Sequence, residues 1–205
     1  MARWAMVIDL RKCIGCGACQ QICEEINRWP PGAKWRQVSE ETDKKGNGKR
    51  LFIPTSCMHC ENPPCVEVCP SKATKQRPDG IVEIDYDRCM GCGACIVACP
   101  YGARSIADAD LFSLDTANGA PDLIGVCTKC NFCLERLDKG LAQGLQPGID
   151  PEATPMCVRY CISEALYFGD ADDPISVVSQ VILENKVIRL GEDIGTNPSV
   201  YYIVE

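Results

Sequence analysis

The chain has 205 residues, 21 basic against 28 acidic side chains for a formal net charge of −7, and 17 cysteines. A pI near 4.9 leaves no basic face to neutralise phosphate, which excludes a nucleic-acid binder. No run reaches the ~18 consecutive apolar residues of a membrane-spanning helix. The cysteines are odd in number, tightly clustered and not preceded by an apolar leader, which speaks for metal rather than a disulfide-stapled secreted scaffold.

In chain order, "WAMVID" (4–9) reads as a strand leading into Cys13, Cys16, Cys19 and Cys23, spaced CxxCxxCxxxC. The charged, glycine-bearing stretch 43–50 reads as a solvated hairpin turn. The strand "RLFIP" (50–54) precedes Cys57, Cys60, Cys65 and Cys69, where the middle of the pattern is stretched. After the turn "RPDG", the strand "GIVEID" (80–85) leads into Cys89, Cys92, Cys95 and Cys99. The fourth set is split by a Gly- and Pro-bearing loop, with Cys127, Cys130 and Cys133 before it and Cys157 and Cys161 after it. The last three sets share an alanine four residues past their final cysteine (Ala73, Ala103, Ala165), so the backbone path there is expected to repeat. At the C-terminus, 172–186 reads as a helix with Asp173 as N-cap and Pro174 in the first turn, followed by the strand pieces "VIRL" and "VYYIV". That tail carries no ligand signal and reads as a packing or docking extension.

Residues 8–23 repeat as 84–99 with nine of sixteen positions identical, an internal duplication. Thiolates are soft ligands that select zinc, copper(I) or iron–sulfur clusters. Structural zinc takes paired CxxC knuckles around one ion, whereas CxxCxxCxxxCP is the bacterial-ferredoxin run, whose fourth cysteine serves a second cluster. Pro70 and Pro100 follow Cys69 and Cys99. Four sets therefore imply four clusters, with Gly15, Gly17, Gly91 and Gly93 allowing close backbone approach. Seventeen cysteines for sixteen places leave one spare, and Cys127, Cys130 and Cys133 compete for two places. His59, the single histidine, reads as a hydrogen-bonding neighbour of a cluster or an exposed residue rather than a ligand. Trp4, Trp29 and Trp35 read as packing, and Arg136 as a partner of cluster charge or of a carboxylate. No acid, base or nucleophile constellation is present, which points to a relay rather than an enzyme.

From "MVIDLRKCIGCGAC" through "CENPPCVEVCP" to "CVRYCISEALYFGD", the chain resembles the four-cluster, ferredoxin-like electron-transfer (beta) subunits of molybdopterin-dependent oxidoreductases of the polysulfide and dimethyl sulfoxide reductase type. Its 140–161 segment and tail are also similar to subunits of phenylacetyl-CoA acceptor oxidoreductases. The family's KCxxCxxRxxxG matches Lys129, Cys130, Cys133, Arg136 and Gly140, which makes Cys127 the spare; Ile162 departs from the proline that often follows the last cysteine. The resemblance implies an α+β fold of two ferredoxin-like modules with pseudo-twofold cysteine sets, 1–49 with 105–169 and 50–104, plus the extension 170–205. It implies four [4Fe–4S] clusters: Cys13, Cys16, Cys19 with Cys161; Cys130, Cys133, Cys157 with Cys23; Cys57, Cys60, Cys65 with Cys99; and Cys89, Cys92, Cys95 with Cys69. The implied partners are a molybdopterin catalytic subunit and a quinone-reactive membrane subunit or other acceptor. The chain would then sit peripherally at the membrane, with the cytoplasmic face favoured and a periplasmic place open through co-export. The competing readings are a free soluble polyferredoxin and a zinc-stapled interaction protein.

Overall fold

The computed structural model describes residues 2–29, 32–42, 50–106 and 123–204. Of the turn expected at 43–50, residues 43–49 lie outside them, and Arg50 already begins a strand. The strands are β1 (Trp4–Asp9), β2 (Arg36–Thr42), β3 (Arg50–Ser56), β4 (Thr74–Gln76), β5 (Val82–Ile84), β6 (Ser105–Ile106), β7 (Cys127–Thr128), β8 (Leu166–Asp170), β9 (Val187–Ile188) and β10 (Val200–Ile203). The helices are α1 (Ala18–Asn27), α2 (Pro64–Glu67), α3 (Ala94–Val97), α4 (Leu134–Ala142), α5 (Met156–Arg159) and α6 (Val177–Glu184). The fold is a mixed α/β one.

All six residues of β1 are buried because the strand lies inside a four-stranded sheet of order β8-β1-β10-β9. It pairs antiparallel with β8 and parallel with β10, so the first cysteine set, the last one and the C-terminal tail are tied to one strand. Side chains alternate across a strand, and β1 uses both faces. Trp4, Met6 and Ile8 join the core that holds Cys19, Cys23, Cys57, Cys60, Cys130 and Cys157, while Ala5 and Val7 pack with Val178 of α6 and Ile203. The sheet thus separates the cysteine sets from α6. Two antiparallel hairpins, β2–β3 and β4–β5, bridge the first set to the second and the second to the third.

The C-terminal helix is shorter than its sequence pattern suggests and begins differently. Its N-cap is Ser176, whose Oγ accepts the Ser179 N–H at 3.1 Å, and not Asp173. Asp173 instead accepts the Ile175 and Ser176 N–H groups in a preceding turn, which uses up its capping capacity three residues too early. The tail's strand pieces form as expected, and β10 is built into the sheet beside β1.

Candidate iron–sulfur sites

Each set opens with a CxxC turn, and the residue before its second cysteine is left-handed in all four: Gly15 (φ 69°), His59 (φ 43°), Gly91 (φ 67°) and Phe132 (φ 58°). This conformation turns successive backbone N–H groups toward one concave side, the usual device for cradling negative charge. At Gly91 a Cβ would meet the Gly125 carbonyl oxygen at 2.1 Å, so the close approach demands glycine. His59 and Phe132 have no such freedom, and a side chain there costs about 1–2 kcal/mol. Their rings stack with centroids 3.8 Å apart, and Phe132 meets Phe168 of β8 edge-on. That contact locks the second and fourth loops together against the sheet.

The third cysteine of each set rides on a helix (Cys19 on α1, Cys65 on α2, Cys95 on α3, Cys157 on α5), and the last lies about a turn further on. The expected repeat past the last cysteine is present. Lys72, Gly102 and Glu164 are all left-handed, and the alanines that follow them are buried. The Thr74 and Ala165 N–H groups then donate to the Cys69 and Cys161 sulfurs at 3.4 and 3.3 Å.

One cavity is lined by Cys13, Cys16, Cys19 and Cys161, and another by Cys57, Cys60, Cys65 and Cys99. Cys23 lies in the electrostatic reach of Cys130, Cys157 and Cys133. Beside Cys89 and Cys95 the structure places Cys127. Its N–H donates to the Cys89 sulfur at 3.4 Å, and its own sulfur lies 3.5 Å from that of Cys95. Among the described residues no three His, Cys, Asp or Glu gather tightly enough to grip a single ion. A four-iron cubane needs its thiolates spread wider than one ion does, and the two cavities each lined by four cysteines fit such a group.

Burial pushes most of the core thiols up, Cys19 to about 11 and Cys60 and Cys133 to about 12, and neighbouring cysteines add to the effect. Packed thiols of this kind release their protons only to a cation that replaces them. Cys95 runs the other way: its hydrogen bond with Cys127 lowers it, while the same bond and burial raise Cys127.

Three basic side chains sit within this core. Arg36, with no exposed surface, donates from Nη2 to Met6 Sδ at 3.0 Å and Ser56 Oγ at 3.4 Å, and its Nε and Nη1 have no partner. Arg104 donates from Nη2 to Cys65 Sγ at 3.0 Å and from Nη1 to Thr74 Oγ1 at 3.2 Å. Lys129 donates to the Val82 and Cys130 carbonyls.

His59 is buried rather than exposed. Its Nδ1 accepts the Val82 N–H at 3.0 Å, its Nε2 has no partner, and burial with Lys129 and Arg104 nearby holds it well below the ordinary histidine range. Trp4 and Trp35 are packed as expected. Arg136 has no carboxylate partner among the described residues: it donates to the Thr154 and Pro151 carbonyls, which ties down the loop that splits the fourth set, and its charge lies close enough to Cys133 to favour that thiolate.

The description 4Fe-4S dicluster domain matches residues 12–73 and, by a second model of the same description, 49–113. The B subunit of the selenate reductase of Mesobacillus selenatarsenatis is 41% identical, the match covering 98% of this chain and 72% of the relative. The polysulfide reductase B subunit of Wolinella succinogenes is 37% identical over 98% of this chain and 94% of its own. The tetrathionate reductase B subunit of Salmonella typhimurium is 38% identical over 98% and 72%. The chain belongs to this family of iron–sulfur B subunits. Its two dicluster matches and its cysteine sets accord with four [4Fe–4S] clusters. Sequence reasoning missed Arg36 and Arg104 as members of the site, since an arginine after a tryptophan or an alanine carries no motif.

Proposed function

We propose that this chain is the non-catalytic electron-transfer subunit of a reductase complex, relaying single electrons between a molybdopterin catalytic subunit and a further acceptor or donor. The observation that carries the reading is the interlocking of the cysteine sets, with three cysteines of one set and the last cysteine of another lining one cavity. The relatives support it, being named as the B subunits of reductases for selenate, tetrathionate and polysulfide. A relay subunit that serves several oxidants leaves the choice of substrate to its partner.

The ligand sets we assign are Cys13, Cys16, Cys19 and Cys161 for the first cluster and Cys130, Cys133, Cys157 and Cys23 for the second. The third takes Cys57, Cys60, Cys65 and Cys99, and the fourth Cys89, Cys92, Cys95 and Cys69. Sets one and four then make one ferredoxin-like module around the β1–β8 pair, and sets two and three make the other around the β4–β5 hairpin. When bound, such clusters each accept and release one electron. The chain's own part is to hold them by thiolate, exclude water, and present Cys16 and Cys92, the two exposed cysteines, toward solvent. No helix among the described residues is long and apolar enough to cross a membrane; we assign any quinone-reactive anchor to a further subunit of the complex.

The test is anaerobic. The cluster-loaded chain, alone and within its complex, is offered the oxidants or reductants of the partner while visible absorbance and the paramagnetic signal of reduced clusters are followed. The complex responds and the isolated chain stays silent, although dithionite reduces it. Catalytic turnover by the isolated chain would make it an enzyme and end the relay reading.

A further inference from the structure

Arg36 and Arg104 are buried cations to which no carboxylate is paired among the described residues. A buried charge left uncompensated is strongly destabilising, so each needs negative charge from elsewhere. Arg36 keeps two guanidinium nitrogens, Nε and Nη1, unpartnered in the core that contains Cys19, Cys23, Cys130 and Cys157. Those four sulfurs belong to the first and second ligand sets. Arg104 binds the Cys65 sulfur of the third set directly and stands 3.8 Å from Cys127, whose sulfur touches Cys95 of the fourth.

We infer that Arg36 and Arg104 are internal counter-cations, one held between the two clusters of each pair, and that each favours the reduced state of its own pair. The inference rests on the ligand sets proposed above. Burial alone works against the charge of either side chain. The ligand sulfurs packed with them, Cys19, Cys23, Cys130 and Cys157 in the core of Arg36 and Cys65 beside Arg104, are the groups that offset this once they hold iron as thiolates. A [4Fe–4S] centre gains one negative charge on reduction, so a fixed cation beside it is attracted more strongly after the electron arrives. Potentials of such clusters respond to local charge and burial. Low dielectric keeps that attraction strong, and a guanidinium does not lose its proton in a protein.

The test uses the whole cluster-loaded chain with Arg36→Met, Arg36→Lys and Arg104→Met. Iron is counted, and each cluster's midpoint is followed by paramagnetic resonance during a redox titration. Arg36→Met is expected to keep about sixteen irons while two of the four midpoints fall, each by about 59 mV or more, a tenfold shift in a one-electron equilibrium. Arg104→Met lowers the other two, and Arg36→Lys restores most of the loss. Loss of iron from Arg36→Met with retention in Arg36→Lys also supports a charge role. Unchanged midpoints, equal movement of all four, or the same iron loss in Arg36→Lys as in Arg36→Met overturns the inference. A wild-type count near eight irons, or full iron in Cys130→Ser, instead removes the ligand sets on which it stands.

Discussion

Cys127 separates two readings of the third loop sharply. Its sulfur is 3.5 Å from that of Cys95 and its N–H is on Cys89, so by position it competes with Cys69 for the last place around that cluster. The geometry at Cys69 argues the other way. It follows the path seen at Cys161, with a backbone N–H on the sulfur and a serine hydroxyl 3.7 Å away in both. With Cys95 on iron its sulfur can only accept, so Cys127→Ala removes the Cys127 thiol as a hydrogen-bond donor to that ligand and leaves the proposed ligands in place. One such bond is worth about 1 kcal/mol, which lowers the midpoint of one cluster by roughly 40 mV and the melting temperature by ~2–4 °C for a chain of this size. Iron analysis should return about sixteen irons for Cys127→Ala and about twelve for Cys130→Ala. Four irons lost from Cys127→Ala, with none lost from Cys69→Ala, would refute the reasoning and make Cys127 the ligand.

Replacing a helix-interior glycine by alanine ordinarily gains about 1 kcal/mol, but at Gly140 the new Cβ lies 2.4 Å from Ala153 Cβ and 2.7 Å from its Cα. Gly140→Ala is expected to lose about 1–3 kcal/mol by overpacking, read as a lower melting temperature. Gly93→Ala meets open space and carries only the cost of its left-handed backbone, about 1 kcal/mol; Gly91→Ala, blocked by the Gly125 carbonyl, should destabilise more in the same melt. The raised thiols of Cys19, Cys60 and Cys133 give the cluster-free chain stability that is fully present below their ordinary value of 9.0 and lost as pH climbs toward about 11 to 12. Denaturant midpoints of the cluster-free chain should therefore fall above pH 9, and cluster retention, which requires displacement of those same protons, should fall as pH drops.

The sequence by itself determined the cofactor and its number. A CxxC turn is closed by three residues and needs no distant partner, and an alanine four residues past a cysteine marks a path that the chain repeats wherever the motif recurs. Strands that lead into the loops were legible for the same reason, since alternation and apolar runs are local. Tertiary structure decided what depends on distant segments. Cys161 joins Cys13, Cys16 and Cys19 in one cavity because β8 pairs with β1, a contact across more than 150 residues of chain that no spacing encodes. Asp173 lost the cap to Ser176 because a turn had already claimed its oxygen. Cys127, spare by motif, acquired a place only when β7 paired with β6 and brought it to the third loop. The burial of His59, Arg36 and Arg104 belongs to this second class as well. A basic side chain normally seeks water, and only the convergence of thiolates from separate loops supplies the negative charge that lets an arginine stay in the core.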